Sequence, residues 1–218
     1  MKRKKSRDIG EINCPSGYIF RGRYGPHNSL MKNVLLYGSG IMFVLSGWFL
    51  LLLNKLIRPD FDGFGFMHNV FFSADRNKSL IITVLALLLI VLYMYIHELI
   101  HGLFLWVFSK VRPIFNFKIK GSNAALVPGI FISRNEALIA IDSPLIILTV
   151  VGMIIWLNIA VQAVPAVILI ISVNIGASIS DIVQSIWLAR FSKKIVFGFD
   201  GKGSVVYEPA NEAIIKVK

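Results

Sequence analysis

Four runs of about 20 mostly apolar residues dominate this chain, each long enough to cross a bilayer as a helix. They lie at about residues 34–53, 79–108, 144–161 and 165–189, the first bracketed by Lys32 and Lys55. Composition agrees. Hydrophobic residues make up 56% of the 218 positions and charged residues 16%, against about 25% charge in a soluble domain. Mean hydropathy is +0.69. The expected fold class is therefore an all-α polytopic membrane protein of four transmembrane helices, with most of its apolar surface facing lipid. The net charge of +11 does not point to nucleic acid, because the basic residues sit between the apolar runs and form no single stripe. Cys14 is the lone cysteine, which excludes an internal disulfide and a thiolate metal cluster. The polar stretch before Val34 has no short apolar core or A-x-A site, so a cleaved signal peptide is not expected.

The distribution of Lys and Arg orients the spans. With both termini cytoplasmic, 19 of the 23 basic residues lie inside. Only Lys55, Arg58, Arg76 and Lys78 lie outside, and the reverse topology inverts that ratio. The expected organisation is a basic cytoplasmic segment over 1–33, a transmembrane domain over 34–189 and a cytoplasmic tail over 190–218, in a multi-pass protein of the cell membrane. Only Gln162, Ala163 and Val164 separate the last two spans, which predicts a tight antiparallel pair. Two polar regions read as small cytoplasmic hairpins. Ile114 to Lys120 alternates apolar with polar residues and can pair with a return strand from Ala124 to Ser133, which Pro128 places at an edge. Ile195 to Glu208 reads as a second hairpin turning at Asp200-Gly201-Lys202-Gly203. These hairpins cap the bundle, or the strand over 124–133 also receives an extended peptide by strand addition.

The second run contains His97-Glu98-Leu99-Ile100-His101. Histidines four residues apart project from one helix face and can hold one Zn²⁺, while Glu98 can reach a water beside the metal as general base. Zinc brings the pKa of water to about 7, low enough to yield a nucleophile for an amide. Ionisable residues within a lipid span are expensive and mark functional sites. A catalytic zinc has three protein ligands, and the position six residues after His101, where a longer motif places a histidine, is Val107.

Depth selects the third ligand. His97 lies about 27 Å past Ser79 at helical rise, and Asp181 about 24 Å past Pro165, both measured from the outer side. Asn174, Ser178 and Asp181 form a polar stripe on an otherwise apolar helix, so that face looks into the bundle. Asp181 is preferred over Asp142, which can cap the helix starting at Ser143-Pro144, and over Glu136, Asp200, Asp60 and Asp62. Asn174 is a candidate contact for a substrate carbonyl or oxyanion, or a cross-helix packing link. Gly176 and Ala177 are small enough for close helix approach, and His27 and His68 read as surface histidines.

The stretch His97–Gly102, the Ser143-Pro144-Leu145 segment and Asn174-Ile-Gly-Ala-Ser-Ile-Ser-Asp181 together resemble a family of small bacterial four-span membrane proteins described as zincin peptidases, of unknown function. The likeness covers roughly half the chain, from span two to span four. More distantly the chain is similar to site-2 proteases, intramembrane zinc enzymes in which two motif histidines and a distant aspartate hold the metal. That resemblance implies His97, His101 and Asp181 as ligands and Glu98 as base. The chain departs from the site-2 pattern where Ile182, not glycine, follows Asp181. The expected activity is hydrolysis of a membrane protein or peptide near the cytoplasmic leaflet, with lipid as the other partner. Alternative readings of the same residues are a non-enzymatic membrane protein that binds or moves metal ions or protons, and an inactive protease homologue.

Overall fold

In a computed structural model of the chain, residues 14–25, 29–59, 62, 65, 76–116, 123–160, 163–201 and 203–210 are described. The helices are α1 (Ser29–Ile57), α2 (Arg76–Ser109), α3 (Arg134–Asn158), α4 (Val164–Ala177) and α5 (Ile179–Ala189). Four stretches are long and apolar enough to cross a membrane: Asn33–Ile57, Leu80–Ser109, Arg134–Asn158 and Val164–Ala189. Exposed Leu, Ile and Val side chains cover the outer faces of α1 and α2, as with Leu36, Leu56, Leu85 and Leu88. Such a surface is stable against hydrocarbon and unstable against water.

The strands gather at one end of the bundle. They are β1 (Tyr18–Tyr24), β2 (Ile114–Asn116), β3 (Asn123–Ala125), β4 (Phe131–Ser133), β5 (Val196–Phe199) and β6 (Ser204–Pro209). β2 and β3 form a two-stranded sheet, and the others an antiparallel sheet in the order β1-β6-β5-β4. The tail hairpin turns where the sequence places it. Gly201 takes φ +80°, Asp200 N–H donates to Gly203 O at 3.1 Å, and Gly203 N–H donates to Asp200 Oδ1 at 2.9 Å.

Three expectations are corrected. The return strand over 124–133 is two strands in different sheets, parted by a turn at Pro128-Gly129, where Gly129 takes φ +87°. Two isolated hairpins become one hairpin and a four-stranded sheet, because β1 comes from the basic segment and pairs with β6. Arg21–Glu208 (2.6 Å) and Arg23–Asp200 ion pairs hold that edge. The third helix starts at Arg134, not at Pro144. Ser133 caps it, with its side chain accepting from Glu136 N–H and the Glu136 carboxylate accepting from Ser133 N–H, a reciprocal arrangement that satisfies two otherwise free donors.

The fourth apolar run is interrupted at Ser178, whose N–H and hydroxyl both donate to Asn174 O, at 3.0 and 2.8 Å. A hydroxyl competing for the helix's own carbonyl bends the backbone, and the interruption falls one turn before Asp181. Gly176 makes the close approach expected of it. A Cβ there would meet Ser39 O of α1 at 2.9 Å.

Buried side chains form two clusters. At the far end Leu50, Trp156, Val167 and Ile171 pack together, and the Trp156 indole N–H donates to Asn54 Oδ1 at 3.0 Å. At the sheet end Leu105, Leu126, Ile132, Ala137, Leu188 and Phe197 join the helices to both sheets. This second cluster fixes the strands against the ends of α2, α3 and α5.

Candidate metal centre

His97 and His101 sit one turn apart on α2, with ring centroids 4.9 Å apart and planes at 77°. Both rings face Asp181 in the first turn of α5. His97 Nε2 lies 3.2 Å, and His101 Nε2 3.5 Å, from Asp181 Oδ2. One donor atom from each of the three residues falls within 4.8 Å of the others, and no other such group of His, Cys, Asp or Glu occurs among the described residues. The fold thus brings together His97 and Asp181, 84 positions apart in the chain.

The donor set fits zinc. Metal–ligand bonds of about 2.0–2.2 Å in a tetrahedron place neighbouring donors about 3.3–3.6 Å apart. The His101–Asp181 separation of 3.5 Å has that size, and the His97–Asp181 separation of 3.2 Å lies just below it. Two imidazoles and one carboxylate are also the ligand types zinc and its neighbours select. The carboxylate offers opposite charge, which offsets the desolvation cost of holding an ion at a partly buried site.

Glu98 is buried beside the histidines, and its Oε2 accepts the backbone N–H of Ala124 on β3 at 2.9 Å. The base candidate is therefore held by the strand next to it. His101 Nδ1 lies 2.8 Å from the backbone carbonyl of Ala140 on α3. Neither backbone partner was legible as a site residue in the sequence, because main-chain groups carry no residue-type signal. Gly102, which follows the motif, leaves room for the Phe115 ring of β2.

A cavity of about 220 Å³ opens from this cluster between the helices and both sheets. Glu98, His101 and Asp181 form one wall, and Ala124, Leu126 and Phe197 contribute to the others. A single water needs about 10–15 Å³, so the cavity has room for water and a stretch of extended backbone. Tyr24 on β1 reaches the same region, its hydroxyl donating to Ser180 O at 3.2 Å. Burial first, and then the Asp181 carboxylate, push its pKa above the ordinary tyrosine value, so it stays a neutral donor.

Residues 89–196 match the model of the family described as "Putative zincin peptidase". The match contains the His-Glu-x-x-His motif, the cap and proline of α3, and Asp181, so every member of the cluster falls inside it. The family's description implies a zinc-dependent metallopeptidase. No curated protein and no solved structure matches the chain.

The other candidates are engaged elsewhere. Asp142 lies inside α3 and is no cap, and its Oδ1 accepts from Ser185 Oγ at 2.6 Å. Glu136 belongs to the helix cap, and Asp200 to the tail turn and the pair with Arg23. Asp62 accepts from Gly65 N–H at 3.0 Å, while Asp60, His27 and His68 lie outside the described residues. Asn174 is completely buried, and its amide donates to Leu145 O at 3.1 Å and Thr149 Oγ1 at 2.9 Å. That is the packing link between α4 and α3. The substrate or oxyanion contact is not supported there, because none of the side chain is open to a ligand.

Proposed function

We propose that this zincin-family chain is an intramembrane zinc metalloprotease that cleaves a membrane protein or peptide near the cytoplasmic leaflet. The observation that carries this reading is the convergence of His97, His101 and Asp181, with Glu98, His101 and Asp181 lining one cavity. His97, His101 and Asp181 would hold the ion. Zinc, when bound, supplies a Lewis acid that brings the pKa of water to about 7.

Glu98 would take the proton from the attacking water and pass it to the departing amine, the general acid–base role its position beside the ligands allows. Asp181 Oδ2 faces both imidazoles, at 3.2 and 3.5 Å from their Nε2 atoms. An extended substrate laid along β3 would cross the cavity and bring a peptide carbonyl to Glu98. A glutamate adjacent to a ligand histidine is needed for hydrolysis and not for moving a metal ion, which favours a protease over a transporter.

The test is cleavage of single-span membrane peptides by the purified full chain in liposomes. The expected result is cleavage that a zinc chelator stops and added zinc restores. Chelator-insensitive cleavage, or zinc flux across the vesicles without cleavage, would contradict the reading.

Orientation follows from the basic residues, and Cys14 reports it, being the single cysteine and exposed. A membrane-impermeant maleimide is expected to label inverted vesicles and to leave right-side-out vesicles unlabelled. Labelling from the outer face would reverse the topology and move the site to the other leaflet.

A further inference from the structure

Pro144 sits inside α3 and is fully buried. A proline within a helix has no N–H, so the carbonyl four residues earlier loses its helical donor. Here that carbonyl belongs to Ala140, which is buried as well. A buried carbonyl without a partner is costly. Two side chains supply partners. Ser143 Oγ donates at 3.0 Å, and His101 Nδ1 lies at 2.8 Å.

The carbonyl has two lone pairs and no hydrogen, so Nδ1 must be the donor and carry the proton. In the neutral ring the remaining lone pair is then on Nε2, the atom 3.5 Å from Asp181 Oδ2. A metal-binding histidine commonly has its second nitrogen held by a carbonyl or carboxylate, which fixes tautomer and ring orientation. Any other residue at position 144 would bring an N–H that the helix geometry directs at the same oxygen.

We propose that Pro144 is a positioning residue of the metal centre. By withholding the helix's own donor, it leaves the Ala140 carbonyl to His101 and so aims His101 Nε2 at the ion. This inference rests on the reading of His101 as a ligand. It assigns a role to a residue that touches neither metal nor substrate, and it accounts for a proline in the middle of a span.

The test uses Pro144→Ala and Pro144→Val in the full chain. Both restore the N–H, but they differ in volume, which separates the hydrogen bond from packing. Zinc affinity is measured by chelator competition, and the His101 tautomer by ¹⁵N NMR of the metal-free protein. Both variants are expected to weaken zinc about 10- to 100-fold, as for loss of a partner behind a ligand. Both are also expected to lose the hydrogen-bonded Nδ1–H form that the unaltered chain shows.

Zinc affinity within twofold of the unaltered chain for both variants would overturn the proposal, as would a loss in Pro144→Ala that Pro144→Val repairs. Should the unaltered chain bind no zinc, the metalloprotease reading fails, while the NMR comparison still decides Pro144. The same His101 tautomer in all three proteins would then overturn its role.

Discussion

Glu98→Gln is expected to bind zinc as the unaltered chain does and to lose peptide hydrolysis by about 10²- to 10⁴-fold, the usual contribution of a positioned general base. The substitution is well isolated. The amide oxygen of glutamine can still accept the Ala124 N–H that Glu98 Oε2 accepts at 2.9 Å, so β3 need not move. What disappears is the capacity to take a proton. Zinc content and cleavage rate on the same preparation give the answer. Unchanged cleavage would remove Glu98 from the chemistry, and loss of zinc with loss of cleavage would make it part of the metal's support.

The largest effect on the metal itself is expected from Asp181→Ala. A four-donor zinc site is worth about 10–16 kcal/mol, so one donor carries roughly a quarter of that, or about 10²- to 10³-fold in affinity. The substitution also leaves the two imidazoles without the carboxylate that both face. Asp142→Ala is the informative contrast. It removes a carboxylate from a nearby helix, but that group is bonded to Ser185 and is no member of the cluster. Zinc affinity measured for both variants should fall only for Asp181. An equal fall for Asp142 would contradict the assignment.

What the sequence revealed and what it hid follow from the range of each signal. Four apolar runs announce helices because hydropathy over about 20 residues is a local sum. His97 and His101 announce a shared face because their spacing is that of one helical turn. Asp181 was legible through two coarser facts, its depth along its own span and the polar stripe it shares with Asn174 and Ser178, both of which are buried.

Pro144 was misread because proline is favoured at the first turn of a helix. The true start carried its own signal in Ser133-Arg134-Asn135-Glu136, a capping-box pattern ten residues earlier. The interruption at Ser178 has no proline to mark it, and it comes two residues after Gly176, where the Ser178 hydroxyl bonds back to Asn174 O. β1 was hidden for a different reason. Its partner is β6 near the other end of the chain, and a strand that pairs at long range has no turn beside it to announce a hairpin. The backbone groups of Ala124 and Ala140 that hold Glu98 and His101 became visible only once the helices and sheets were assembled.

The most direct test of the metal centre is zinc X-ray absorption on the purified full chain. One zinc per chain is expected, with two imidazole nitrogens and carboxylate or water oxygens at about 2.0–2.2 Å and no sulfur. A protein that holds no zinc, or a zinc shell containing fewer than two imidazoles, would contradict the assignment of His97, His101 and Asp181 to a single ion.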